Sequence, residues 1–360
     1  MVTIRKTRAR SIKKVATIRQ VAEIAGVSIA TVSRVFAGSD LVSHGLIERV
    51  QEAARSLNYQ PNRVARNLRT QKTHFAAVVV SDIENPFFTS VIRGAERVLR
   101  TAGFSLLLAN SDENEQIELE HLLNLRAEGV AGVILAPTQE DARVYEQLLQ
   151  ANMVIVAIDR CPKNFKTDRV TVNNIEGAQT AVRHLIEQGH TRIGFINGLP
   201  KISTAYERLQ GFEQEMKANY LPVNPQWIQQ GNFRREKSFT AMMDILRLED
   251  RPTAVISANN LMTLGALQAI YECKLHIPAD IAIVGFDDMA WANSLNPPLT
   301  TIAQPTEELG ALAAQLVLDR INDPSRPYRH VILDTHLIVR ESSGGHFVAT
   351  SKFLTQTSGS

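Results

Sequence analysis

From Thr73 onward, short apolar runs alternate with longer amphipathic stretches. HFAAVVVSD, FSLLLAN, VAGVILAP and VIVAIDR read as buried strands, while FTSVIRGAERVLRTAG, EQIELEHLLNLRAEG and YEQLLQANM repeat apolar residues at helical spacing. A second set follows. RVTVNN leads into the helix IEGAQTAVRHLIEQG, TRIGFING into TAYERLQGFEQEMKANY, and EKSFTAMMDILRL is the next helix. PTAVISAN then precedes LMTLGALQAIYECK, and IAIVGFD is a further strand. Near-continuous apolar strands joined by helices predict parallel sheets covered on both faces. Two such lobes in series place a ligand cleft between them, near strand ends. After Thr301, IAQPTEELGALAAQLVLDRIN reads as one long helix and HVILDTHLIVRES as late elements completing both lobes, for three crossovers. The expected lobes are 73–172 with 303–331, and 173–302 with 332–340. Residues 341–360, rich in Ser, Thr and Gly, are expected to be a disordered tail.

The chain before Thr73 follows another pattern. In TIRQVAEIAGVSIATVSRVF (17–36), Thr17 caps a first helix with Gln20 as reciprocal partner. Val21, Ala22 and Ala25 give that helix a small apolar face, Gly26 breaks it, and Ser28 caps a second helix. Val32, Val35 and Phe36 bury one side of the second helix, and Ile29, Ala30, Ser33 and Arg34 occupy the other. A short helix with small, non-acidic side chains on its open face fits a DNA major groove. Leu46–Leu57 predicts a third helix, with Ile47, Val50, Ala53, Ala54 and Leu57 on one side. Pro61 stops the run, and NRVARNL (62–68) is a helical segment too short to stand alone, so it needs DNA, a partner chain or both. The fold class is an all-α helix-turn-helix head (17–60), joined by a hinge helix and linker (61–72) to a two-lobed α/β body (73–340).

Charge sharpens this division. Residues 1–69 hold 13 Lys or Arg against 4 Asp or Glu, a net +9; the whole chain is +2, which leaves −7 for the rest. A basic head on an acidic body directs only the head toward a polyanion. Residues 1–16 contain Arg5, Lys6, Arg8, Arg10, Lys13 and Lys14 and no acid. They are either a solvated terminus or an arm that adds phosphate attraction. The chain shows neither a secretory apolar core nor a membrane-length run, so it is expected in the cytoplasm. Cys161 and Cys273 form no metal motif, and a disulfide is not expected. No phosphate loop, GxGxxG fingerprint, HExxH or nucleophile elbow is present, so neither an enzyme nor a cofactor is expected.

TIRQVAEIAGVSIATVSRV, LNYQPNRVARNL, DIENPFF, GHTRIGFI, RLQGF, PTAVISANN, IVGFDD and LTTIAQP occur in this order. On these segments the chain resembles the lactose and galactose repressor family over its length after residue 16. The body is also similar to periplasmic sugar-binding proteins, those for ribose especially. The resemblance implies a homodimer whose heads enter the major grooves of a palindromic operator. It implies that Ile29 and Ala30 meet base edges as apolar contacts and that Arg34 meets guanine or phosphate, with Thr17, Ser28, Thr31 and Ser33 as further DNA contacts. Asn62, Arg63 and Ala65 match its hinge helix, and Asn62 could touch the DNA backbone. Leu68 either packs on the body or wedges a base step in the minor groove. A leucine-rich C-terminal helix of the family's tetramers is missing, which favours a dimer.

For the cleft the resemblance implies a small neutral sugar, with a pentose favoured. Asn85, Phe87 and Phe88 follow one strand end, Asp159 and Arg160 another; Arg208 lies in RLQGF and Phe233 in GNFRREK. Asn259 and Asp287 end later strands, and Gln304 lies at a crossover. Aromatic rings pack on sugar faces, while carboxylate, amide and guanidinium groups bind hydroxyls. Each also has a plainer reading: Asp159 and Asp287 as caps of turns, Phe87 and Phe88 as lobe core or dimer surface. Asn260 departs from the family, where many members carry Asp. Hexoses, a sugar phosphate, a purine corepressor and a protein partner remain alternatives, as does a sugar-binding protein that does not bind DNA. Cleft closure linked to hinge order would transmit the ligand signal to DNA, with release by sugar the expected sign.

Overall fold

The computed structural model describes residues 16–36, 42–59, 73–139 and 141–344. The chain divides into two compact units between residues 72 and 73.

In the first unit, α1 (Ile18–Ala25), α2 (Ile29–Phe36) and α3 (His44–Ser56) enclose Val21, Ala22, Ala25, Val32, Val50, Ala53 and Ala54. The capping box forms: Thr17 N donates to Gln20 Oε1 at 2.9 Å, and Gln20 N to Thr17 Oγ1 at 3.4 Å. Gly26 ends α1 at φ 60°, a left-handed turn that costs a residue with a β-carbon roughly 1 kcal/mol. Ser28 Oγ accepts from Thr31 N at 3.1 Å and starts α2. Arg49 reaches from α3 to donate to Ala25 O at 2.5 Å, so the third helix fixes the end of the first.

The second unit is built on two six-stranded sheets. The N-lobe sheet has order β11-β5-β4-β3-β1-β2 and is wholly parallel. Its strands are β1 (Phe75–Val80), β2 (Ser105–Asn110), β3 (Val133–Leu135), β4 (Ile155–Ile158), β5 (Asp168–Val172) and β11 (His330–Leu333). The C-lobe sheet has order β12-β10-β9-β8-β6-β7, parallel except for the β10–β12 pair. It comprises β6 (Ile193–Asn197), β7 (Ile228–Gln230), β8 (Ala254–Ser257), β9 (Ala282–Phe286), β10 (Thr300–Ala303) and β12 (His336–Ile338). Helices α4 (Pro86–Thr101), α5 (Glu115–Ala127), α6 (Arg143–Gln150) and α11 (Thr306–Asn322) cover the first sheet. Helices α7 (Asn174–Glu187), α8 (Ser203–Ala218), α9 (Arg235–Leu246) and α10 (Asn260–Glu272) cover the second. Each lobe has its own apolar core. Where α4 crosses α11, a β-carbon on Gly94 would collide with Glu307 O and one on Gly310 with Val91 O. Only glycine allows that approach.

The chain passes between lobes after Val172, Ala303 and Leu333. Three sequence expectations are corrected here, and one strand goes unread. Ile302 and Ala303 do not belong to a long helix. They lie in β10, buried between β9 and β12, and α11 begins only after Pro305, whose ring disfavours helix at Gln304. Ile332 and Leu333 pair with Thr171 and Val172 in the N-lobe sheet, so the last crossover falls two residues later than expected. The short edge strand β7 carries no periodicity long enough to read. The tail is ordered to Gly344: Ser342 and Ser343 are buried. Ser342 Oγ donates to Ile283 O at 2.7 Å and accepts from Thr300 N at 2.8 Å, which fixes the segment to the C-lobe sheet. The remaining tail, 345–360, and the arm, 1–15, lie outside the described residues.

Candidate nucleic-acid interface and ligand cleft

On the head, Ile29, Ala30 and Arg34 are exposed along α2, and Thr31 and Ser33 are half-buried beside them. Val32 faces the core. Thr17 and Ser28 serve as helix caps on the surface, so neither hydroxyl is wholly available to DNA. Asn62, Arg63, Ala65 and Leu68 lie outside the described residues.

In the body, all ten residues expected at the cleft line one cavity: Asn85, Phe87, Phe88, Asp159, Arg160, Arg208, Phe233, Asn259, Asp287 and Gln304. Most hang from the C-terminal ends of strands, where a doubly wound sheet binds ligands. Asn85 caps α4 through Phe87 N (2.9 Å), and Asn259 caps α10 through Met262 N (2.8 Å). Each cap engages the side-chain oxygen and so fixes which end of the amide is NH2. Phe87 and Phe88 meet edge to face, ring centres 5.0 Å apart, and belong to the N-lobe core as well as to the cavity wall.

Asp159 ends IVAID in one lobe and Asp287 ends IVGFD in the other, at φ 64° and 75°. Phe233 has φ 59°. Left-handed backbone at residues with β-carbons is uncommon and gathers at functional sites. Gly198 makes room for the Phe233 ring, which a β-carbon there would strike. Asp287 Oδ2 also accepts from Asn260 N, at the start of α10, at 3.3 Å, a bond to another element rather than a cap of the turn that follows it.

The two cleft arginines are both buried. Arg160 donates through Nε to Asp159 at 3.0 Å, through Nη1 to both oxygens of Glu113 at 3.0 and 2.9 Å, and through Nη2 to Ser81 Oγ at 3.2 Å. Burial lowers its pKa, but Glu113 and Asp159 more than offset this and raise it overall. Arg208 donates to Asn174 Oδ1 at 2.8 Å and Ala258 O at 2.5 Å, with its guanidinium 3.8 Å from the Phe286 ring centre. Burial draws the Arg208 pKa down, and Asp287 and Asp159 oppose the shift. Burial pushes the Asp287 carboxyl up, against Arg208 and the Gln304 amide that donates to it.

The lobes touch across the cleft. Asn260 Nδ2 donates to Asn85 Oδ1 at 2.8 Å. Arg234 joins Asp82 (3.1 Å) and Asp112 (2.8 Å), and Lys201 joins Glu115 (2.7 Å). The buried oxygen Gln304 Oε1, in the cavity lining, lacks a protein partner, as expected where a polar guest supplies donors. Sequence reasoning missed Asp82, Glu113 and Thr204 in the lining. The available signal for the first two was an acid just past a strand end, in SDIEN after β1 and SDEN after β2.

A helix-turn-helix head and a polar cleft between paired α/β lobes define a ligand-responsive DNA-binding regulator. The pattern of bacterial regulatory proteins of the lacI family matches residues 17–62, and that of a periplasmic binding protein-like domain matches 182–343. The ribose operon repressor of Escherichia coli K12 is 35% identical, across 91% of this chain and 100% of its own. An HTH-type transcriptional repressor PurR of Histophilus somni is 36% identical, across 91% and 98%. The lac repressor dimer bound to operator and an anti-inducer superposes with TM-score 0.82 at 28% identity, covering 92% of this chain and 99% of that one. The chain belongs to the lacI family of bacterial transcriptional regulators. It is a sequence-specific DNA-binding protein, not an enzyme.

Proposed function

We propose that this protein is a homodimeric repressor that leaves a palindromic operator when a small neutral sugar, D-ribose or a near relative, enters its cleft. The convergence of ten polar and aromatic side chains on one cavity at the strand ends carries this reading. Capped Asn85 and Asn259 present amide NH2 groups, Asp159 and Asp287 accept from hydroxyls, and Arg208 donates. Phe87, Phe88 and Phe233 supply apolar faces for a sugar ring. Similarity to a ribose operon repressor supports the pentose. On the head, Ile29 and Ala30 contact thymine methyls, and Arg34 contacts guanine or phosphate. Asn62, Arg63 and Ala65 form the hinge, and Leu68 wedges the central step. Closing the cleft shifts the N-lobes across the dimer and separates the hinge helices, so DNA affinity falls.

Melting temperature across pentoses, hexoses, their phosphates and purines tests the ligand. A saturable rise with D-ribose is expected. A rise with purines alone would replace the sugar by a purine corepressor, a reading favoured by similarity to a PurR repressor.

A further inference from the structure

Glu113 was not expected at the cleft, yet it occupies the middle of the N-lobe wall. It follows β2 in a turn where Asp112 (φ 52°) and Glu113 (φ 56°) are consecutive left-handed residues. Glu113 N donates to Ser81 O at 2.9 Å and anchors the turn to the end of β1. Two such residues in a row are strained, and this strain is held where it aims one carboxylate. The carboxylate meets Arg160 through three bonds of 2.9–3.1 Å, with side chains 10% and 7% exposed. With Asp159 on Nε and Ser81 on Nη2, every hydrogen bond of the guanidinium is made within its own lobe, and its face lies 5.5 Å from the Phe233 ring centre of the other lobe.

This arrangement has a consequence for ligand charge. Arg160 would be the natural partner of a phosphate. A phosphate could reach it only by displacing Glu113, and would then stand in a poorly solvated space where four carboxylates, Glu113, Asp82, Asp159 and Asp287, outnumber the two lining arginines, Arg160 and Arg208. A hydroxyl meets no such repulsion and can donate to the same carboxylates. We propose that Glu113 is a specificity-determining residue that bars anionic ligands, phosphorylated sugars above all, by occupying Arg160. The inference rests on the sugar reading above and adds to it the exclusion of anions.

Calorimetric titration of the full-length protein with D-ribose and D-ribose 5-phosphate tests it, using wild type, Glu113→Gln and Asp112→Asn. Wild type is expected to prefer ribose by about 100-fold or more, given the strength of charge repulsion at short range in a partly desolvated site. E113Q should narrow the preference by about tenfold or more. D112N removes the same charge one residue away, where it faces Arg234 at the rim, and should keep the wild-type ratio. Equal narrowing in both variants would overturn the role of Glu113 in favour of net charge alone. A wild-type ratio below about tenfold would overturn it whether or not E113Q folds, and would leave the sugar reading standing. Binding of neither compound would overturn the sugar reading and this inference together.

Discussion

Arg160 and Arg208 face the same cavity from opposite lobes, and their surroundings differ in kind. Arg160 is held by two carboxylates and a hydroxyl of its own lobe, with the Phe233 ring centre of the other lobe 5.5 Å away. Arg208 bonds to an amide and a backbone carbonyl and lies over a ring, with balancing carboxylates beyond hydrogen-bond contact. A buried cation with paired carboxylates is part of the fold. A buried cation with neutral partners keeps electrostatic capacity for a guest. The N-lobe arginine is therefore already engaged, and the C-lobe wall is expected to be the responsive one. Among the cavity-lining residues, Gln304 at the C-lobe crossover carries a buried oxygen with no protein partner.

The largest expected effect comes from breaking the satisfied side. Arg160→Met strands Glu113 and Asp159 in a buried site and should destabilise the body by about 3–5 kcal/mol in urea unfolding. Loss of less than about 1 kcal/mol would erase the contrast between the walls.

Glu118 tests the same wall from behind. Fully buried, it accepts from Tyr145 Oη and from Thr138 N at 2.8 Å, and burial pushes its pKa up to about 7. The folded state then holds this proton more tightly than the unfolded chain. Between the ordinary carboxyl range and about pH 7 the unfolded chain has already lost the proton, so this group's contribution to stability falls as pH rises. By pH 8 the loss approaches about 3 kcal/mol. Glu118→Gln removes that dependence, so wild-type stability minus E118Q stability should decline from pH 4.5 to 8. A pH-independent difference would contradict the assignment. Buried His184 and half-buried His190, whose pKa values burial lowers, bend both curves the opposite way and cancel in the difference.

Breaking the responsive side should cost less stability than Arg160→Met, since no carboxylate is in hydrogen-bond contact with Arg208, and should remove binding. Arg208→Met is expected to weaken sugar binding about 100-fold, as for a lost charged hydrogen bond of about 3 kcal/mol. Retained operator affinity would show that the variant is folded. The smallest effect falls between the walls. Asn85 Oδ1 is committed as an acceptor to Phe87 N, so Asn260→Asp would set oxygen against oxygen. Loss of this lobe-to-lobe bond should cost about 1–2 kcal/mol, read as a lower melting temperature. It also gives a reason for Asn at this position: the residue fits its partner across the cleft.

Some of this was legible in the sequence because local chemistry dictates it. Thr17 with Gln20, Gly26 and Ser28 set the ends of α1 and the start of α2 without long-range help. Apolar runs gave the body strands, and acids or amides at their ends pointed to the cleft. Other features depend on contacts far along the chain. Thr300–Ala303 is a strand because β9 and β12 flank it, and Ser342–Ser343 is ordered because Ile283 and Thr300 bond to it. Glu113 resembled any solvated loop acid until the fold brought Arg160, 47 residues later, against it.

The central claim is that a sugar in the cleft lowers affinity for DNA. Fluorescence anisotropy on a palindromic operator selected from random duplexes, at fixed salt, measures it directly. D-ribose should raise the operator Kd of the wild type by about tenfold or more, within the usual range of allosteric coupling, and leave R208M unchanged. An operator affinity that neutral sugars leave unaltered, or strengthen, would contradict the account.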